Sequence, residues 1–322
     1  MKKLFYIFSI IFIFSFPKTV RAVVYDIEQL SFSGTENVYP DLNDNGEVVW
    51  SSYNGTSYNI FSNLRGQITN NGYFNRFPSI NDLGEIVWET HVQNISGSSI
   101  YSNIRGLIIE SLGGIWNEQP DINNQGEVIV SQTGPNLGIY SNVRGYISNS
   151  PFDDSSPTIN DEGEVVWHKK VGPLTEVYSN VRGRITENDF FDYVWFGPSI
   201  NDLGEIVWYG PDGNPSEIYS SIHGQITNDS YNDQAPTINN LGEIAWMTYD
   251  NSYRIYSSNN GFVTPPGLDA RYPVINDLGQ IAFQVGEDVY LATPRSQVIP
   301  EPSTLFLFGG GLFGLMFRRK LI

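Results

Sequence analysis

A nine-residue phrase returns seven times along this chain, so any fold it adopts must set seven copies of one unit side by side. The phrase runs Pro, any residue, aliphatic, Asn, Asp or Asn, any residue, Gly, Glu or Gln, aliphatic. It begins at Pro40, Pro78, Pro120, Pro157, Pro198, Pro236 and Pro273, at spacings of 38, 42, 37, 41, 38 and 37 residues. Gly46, Gly84, Gly126, Gly163, Gly204, Gly242 and Gly279 hold its seventh place every time, and an aromatic follows downstream at Phe61, Tyr101, Tyr140, Tyr178, Tyr219, Tyr256 and Tyr290. Self-similarity at this period is the mark of solenoids, propellers and helical arrays.

The residue types choose among these. Pro-x-Ile-Asn reads as a strand A, and Asn-Asp-x-Gly as a tight turn whose Gly takes positive φ. Glu-Ile-Val-Trp, rich in β-branched and aromatic residues, reads as strand B. Ile-Tyr-Ser reads as strand C, and tracts such as Gln67-Ile68-Thr69 as strand D. Four antiparallel strands in about 40 residues make one propeller blade.

The ends complete one another. The seventh repeat supplies strands at Tyr272–Asn276, Gln280–Gln284 and Asp288–Ala292, but no strand D. Ile27–Ser31 precedes the first repeat, and Leu30 lies ten residues before Pro40, as Ile68, Ile147 and Ile226 lie ten before Pro78, Pro157 and Pro236. The sequence therefore predicts an all-β, seven-bladed β-propeller of four-stranded blades, closed by an N-terminal strand that becomes the outer strand of the last blade. Closure removes exposed sheet edges. Over 23–294 the pattern resembles the WD40-like or TolB-like propeller repeats, with Asn-Asp-Leu-Gly where those carry Ser-Pro-Asp-Gly. That resemblance implies the blade architecture and no activity, because propellers host many.

Apolar helices are expected at both termini. Met1 to Ala22 reads as a secretory signal peptide: Lys2 and Lys3, an apolar run Leu4–Phe16, then Val20-Arg21-Ala22 with Ala22 at the cut. The other end runs Val298-Ile299-Pro300-Glu301-Pro302, an apolar stretch Leu305–Phe317, then Arg318-Arg319-Lys320. Thirteen apolar residues are short for a permanent anchor, which needs about 20, and the basic end stays in the cytoplasm. The tail resembles the PEP-CTERM sorting signal of bacteria. That resemblance implies an exosortase-type membrane peptidase acting near Pro300, Glu301 and Pro302, a hold at the inner membrane before processing, and delivery to the surface or outside, often in makers of exopolysaccharide. The expected organisation is a signal peptide at 1–22, the propeller at 23–294, and a sorting tail with a short transmembrane helix at 295–322.

Charge narrows the partners. The chain carries 18 Lys/Arg against 35 Asp/Glu, a net −17, and residues 23–299 carry 11 against 34, or −23. Such a body repels phosphate backbones, so nucleic acid is not expected. There is no Cys, and His91, His168 and His223 sit in different repeats, so no thiol chemistry, zinc site or cofactor is implied. Asp41-x-Asn43-x-Asn45-Gly46 echoes a calcium loop, but the other repeats break the alternation and no Glu completes it; capping of a tight turn explains these residues. No metal site is expected.

Arg65, Arg105, Arg144 and Arg182 recur at the C–D turn, on the same face as the A–B turns, and are expected to pair with acids there as a belt. The rival is a binding face for an anionic polymer. Trp50, Trp88, Trp167, Trp208 and Trp246 fall at one place in strand B and are expected between blades. The B–C and D–A loops form the opposite, variable face. Aromatics beside Asp and Asn there suit sugars, the ring against pyranose C–H and the carboxylate or amide on hydroxyls. Candidate contacts are Tyr73, Trp116, Phe190, Phe191, Asp192, Tyr193 and Trp195; rings tucked between blades as core caps are the competing account. No phosphate loop, His-Glu-x-x-His or Gly-x-Ser-x-Gly occurs, and no catalytic residue is singled out. The reading is an exported, non-catalytic binding module for exopolysaccharide or a surface protein. The alternatives are an exported glycan-active enzyme and a structural matrix protein. Two facing carboxylates in a deep pocket would mark the enzyme, a shallow aromatic shelf the binder, a featureless loop face the matrix role.

Overall fold

Seven antiparallel sheets succeed one another around a central axis, each with strand order A-B-C-D from the inside outward. The computed structural model describes residues 23–31, 34–134, 138–148, 154–171, 174–186, 190–191, 196–210 and 215–296, and Tyr25–Arg295 forms one compact unit. Blade 1 comprises Glu36–Leu42, Val48–Tyr53, Tyr58–Ser62 and Gly66–Gln67. Blade 7 comprises Ala270–Ile275, Ile281–Val285 and Asp288–Ser296, with Val23–Gln29 as its outer strand. The signal peptide, Ala22, both apolar helices and the tail with Pro300, Glu301 and Pro302 lie outside the described residues. No helix among the described residues is long and apolar enough to cross a membrane.

The closing register is the one the ten-residue offset predicts. In blade 1, Ile68 N–H donates to the Ile60 carbonyl (2.8 Å), and Thr69 Oγ1 accepts from Ile60 N–H (2.9 Å). In blade 7, Leu30 N–H donates to the Val289 carbonyl (2.8 Å), and Ser31 Oγ accepts from Val289 N–H (2.8 Å). Residues about 258 apart thus repeat a contact made elsewhere within one blade.

Strand B shows why one Trp and its neighbours recur. Each blade is covered on both sides, so its side chains alternate between two interfaces. Val48 and Trp50 pack with Ala282, Val289 and Leu291 of blade 7, while Val49 between them packs with Ile80, Ile86 and Trp88 of blade 2. Such a cluster fills each of the seven interfaces. Burial of one of these Trp side chains is worth about 3–5 kcal/mol against Ala.

Two strands differ from expectation. Strand A begins upstream of its Pro in six blades, across a β-bulge, as between Val38 and Asp41 or Arg76 and Ser79. The residue before Pro takes positive φ at Tyr39, Phe77, Gln119, Ser156, Ala235 and Tyr272. A bulge suspends ladder pairing where Pro lacks its N–H. Strand D is nominally two residues long in blades 1, 3, 4, 5 and 6, as at Gly66–Gln67, because the Thr or Ser hydroxyl then takes over the ladder bond.

Candidate functional site

The two ends of the propeller axis differ in kind. At the end formed by the A–B turns, the repeated Asn and Asp build two closed rings. Asn43 Nδ2–H donates to the Asn81 carbonyl (3.1 Å), and the bond repeats through Asn123, Asn160, Asn201, Asn239 and Asn276 back to Asn43. In the second ring each backbone N–H donates to the next side chain, through Asp44, Asp82, Asn124, Asp161, Asp202, Asn240 and Asp277, at 2.7–2.8 Å. The rings surround a cavity of about 190 Å³. Burial raises Asp44 to about 6, with Asp82 and Asp277 on either side adding to the rise. The residues of the apparent calcium loop are consumed by this architecture: Asp41 Oδ2 accepts from Ile80 N–H, and Asn43 Oδ1 accepts from Glu47 N–H.

The Arg of the C–D turn form the expected belt on this face. Arg65, Arg105, Arg144 and Arg182 reach Glu47, Glu85, Glu127 and Glu164 of their own blades at 2.6–2.7 Å. Arg65, Arg144 and Arg182 also donate to the Gly84, Gly163 and Gly204 carbonyls of the next blade. The same Glu accept from Ser62, Ser102, Ser141 and Ser179. Around the rings stand nine exposed aliphatics, Leu83, Leu203, Leu241 and Leu278 of the A–B turns and Leu64, Ile104, Val143, Val181 and Ile222 of the C–D turns. Their signal was present in the free position of each turn motif, and the sequence reading passed over it.

At the loop end the bulges carry the chemistry. Tyr39 and Phe77, adjacent blades' bulge residues, have rings 4.2 Å apart. Phe196 lies 5.5 Å from Tyr272, the bulge residue of blade 7. The Arg76 guanidinium sits 5.6 Å from the Tyr58 ring and 5.8 Å from that of Phe77. Arg76 pairs across the ladder with Glu89, and burial lifts Glu89 to about 7, with Arg76 opposing the rise and Glu118 adding to it. Burial also raises Glu118 and Tyr39. Arg76 Nε and Glu89 Oε2 are both buried without a hydrogen-bond partner. Sequence reading missed this group because the bulge, and so the direction of these side chains, is not written in the period-2 pattern.

The sequence candidates are dispersed. Tyr73 is exposed in the D–A turn ahead of blade 2, its N–H held by Asn71 Oδ1 (3.1 Å). Trp116 opens strand A of blade 3 and stacks on His91 at 4.9 Å, so its ring is half committed to packing. The backbone of Phe190–Phe191 pairs with Leu174–Thr175 as a short extra strand of blade 4. Asp192, Tyr193 and Trp195 lie outside the described residues.

The class these features define is an exported β-propeller carrying a bacterial sorting tail. Residues 298–320 match the PEP-CTERM protein-sorting motif, which implies an exosortase-type membrane peptidase as partner, export, and membrane attachment through the C-terminus before processing. No curated protein matches the chain. Among solved structures it is similar to the β-propeller domain of the Trilobed protease from Pyrococcus furiosus, at 13% identity and TM-score 0.56, over 83% of this chain and 96% of that one. It is similar to virginiamycin B lyase from Staphylococcus aureus, at 13% identity and TM-score 0.51, over 84% and 99%. It is also similar to Pyrococcus horikoshii acylaminoacyl peptidase, at 13% and TM-score 0.55, over 84% of this chain and 54% of that one. At these identities the likeness speaks for the fold alone.

Proposed function

We propose that the mature protein is a non-catalytic binding module at the cell surface or beyond it, and that it takes extracellular polysaccharide on its loop face. The observation that carries this reading is the Tyr39–Phe77 pair beside Arg76 and Glu89. It offers aromatic faces for sugar C–H and two buried polar atoms that lack a partner. A buried polar group without a partner is uncommon, and a ligand hydroxyl supplies what each lacks. Tyr272 and Phe196 extend the aromatic surface across the mouth. Tyr73 and Trp116, in the D–A segments ahead of blades 2 and 3, belong to the same face, and Phe190, Phe191, Asp192, Tyr193 and Trp195 remain proposed contacts on the sequence alone. An acidic body suits a neutral polymer better than an anionic one.

A second reading, a matrix protein that packs against its own kind, is favoured by the nine exposed aliphatics of the turn face. One experiment separates the two. Full-length protein in mild detergent is applied to a glycan array beside a Tyr39→Ala/Phe77→Ala variant and a Leu83→Ser/Leu203→Ser/Leu241→Ser variant. Binding that drops about tenfold or more in the first variant and persists in the second supports the loop-face site. Absence of glycan binding, with self-association lost in the second variant, supports the matrix reading.

A further inference from the structure

One position in the repeat changes chemistry in blade 6. The third residue before the Pro is Asn in blades 1, 2 and 3, and its amide donates backward to the preceding blade. Asn37 Nδ2–H bonds the Glu287 carbonyl (3.1 Å), Asn75 that of Tyr58 (3.2 Å), and Asn117 that of Ser98 (2.6 Å). Glu287, Tyr58 and Ser98 each stand three residues before the strand C aromatic, as Ser216 does in blade 5. In blade 6 the residue is Asp233. Its N–H still reaches the Ser216 carbonyl (2.8 Å), but its side chain has no amide to donate.

Asp233 is 1% exposed, and neither of its carboxylate oxygens has a hydrogen-bond partner. The hydroxyls of Thr227 and Thr248 lie near enough to favour its charge, yet neither is in bonding geometry with it, and Thr227 donates to Glu217 Oε2 instead (2.6 Å). Glu217, 6% exposed, and Asp229, exposed in the D–A loop, complete a triad with one carboxylate oxygen from each within 4.8 Å of the others. Among the described residues no Lys, Arg or His pairs with any of the three.

Blade 4 shows how the strand C carboxylate is otherwise balanced. Glu176 occupies the place of Glu217, two residues before the strand C aromatic, and Arg184 reaches Glu176 at 2.9 Å. The counterpart of Arg184 in blade 5 is Gln225, which carries no charge. The internal cation is therefore present beside one strand C glutamate and missing beside the other, the one that faces a second buried carboxylate. A charge this deep is kept only with a partner.

We propose that Glu217, Asp229 and Asp233 bind a divalent cation, calcium by the chemistry of the donors. Three hard oxygens from three carboxylates, with water for the rest, is a calcium or magnesium set, and a site that spans a strand, a loop and a strand suits the more tolerant calcium. Oxygens held at about 2.3–2.6 Å from one ion lie up to roughly 5 Å apart, which the observed spacing meets. Asp229, at the surface, gives the ion its path. The ion ties strand C of blade 5 to strand A of blade 6 at the loop face, independently of any glycan held at Arg76 and Glu89. The chain's other calcium-like sequence, at Asp41, is committed to turn bonds and is not this site.

The test is calorimetric titration of the chelator-stripped full-length protein in detergent with calcium chloride, with melting followed in parallel. One ion per chain, with Kd on the order of 10⁻⁴–10⁻³ M as in extracellular calcium modules, and a rise in Tm on adding calcium are expected. Asp233→Asn restores the residue that blades 1–3 use, so this variant should fold and melt no lower than the stripped parent while losing the calcium response. Gln225→Arg imports the blade 4 solution and should abolish binding as well. Lack of a calcium response in the parent, or an undiminished one in Asp233→Asn, overturns the proposal.

Discussion

His168 shows how burial sets a residue's behaviour against its reputation. It lies on strand B of blade 4, is 3% exposed, and has an Nδ1 with no hydrogen-bond partner. Burial alone pushes its pKa down to about 3. The folded protein therefore keeps this imidazole neutral while the unfolded chain takes up a proton below about 6.5. More protons in the unfolded state at lower pH means that stability falls as pH falls from about 6.5 toward 3. His168→Leu removes that linkage. Its stability relative to the parent should improve by about 2–3 kcal/mol between pH 7.5 and pH 4.5, measured by denaturant melts at both values. A difference that stays constant with pH would show that the ring is not held neutral. The same logic runs in reverse for Glu89, whose raised pKa contributes stability that is complete below about 4.5 and lost as pH rises through about 7.

At the scale of the element, the phrase Tyr-Ser-Asn-x-Arg-Gly accounts for itself. Ser62 Oγ accepts from Leu64 and Arg65 N–H and donates to Glu47, Asn63 Oδ1 accepts from Val48 N–H, and Arg65 ties Glu47 to the next blade's Gly84. Each polar residue of this phrase closes a turn or joins a neighbour, so what recurs in blades 1 to 4 is scaffold. The Arg are about one-third exposed, which keeps each pair near the lower range for ion pairs, about 0.5–1 kcal/mol. Replacing Arg65, Arg105, Arg144 and Arg182 together with Ala should lower Tm by several degrees, less so in 1 M salt, and leave glycan binding unchanged. Unchanged Tm with altered polymer binding would make these Arg ligands. This is also where sequence reading stops. Strand B, the tight turn and the belt follow from residue type and spacing. The bulge before each Pro does not, because it is one extra residue that leaves the pattern on either side intact. That bulge aims Tyr39 and Phe77, so the better candidate site was hidden while the aromatic-rich 190–196 stretch stood out.

For the molecule as a whole, closure is made twice, and the two closures are separable. The inner one is the pair of rings, whose last links run from Asn276 to the Asn43 carbonyl (2.9 Å) and from Asp277 N–H to Asp44 (2.7 Å). The apolar contact of Trp50 and Leu42 with Val289 and Leu291 reinforces it. The outer one is Val23–Gln29 against Asp288–Ser296, fixed by Leu30 and Ser31 on Val289 and by Tyr290 Oη on Gln29. The inner links join blade 7 to blade 1 without passing through the outer strand. Deleting residues 23–31 should therefore leave a folded ring, held by the inner links, with one bare sheet edge at Asp288–Ser296. Tm should fall, and amide exchange should rise at 281–296 while the strand B amides of blades 2–5 keep their protection. A synthetic peptide of residues 23–31 should bind the gap and restore both, in proportion to its concentration. Global loss of protection on deletion would mean that the outer strand, and not the rings, holds the circle shut.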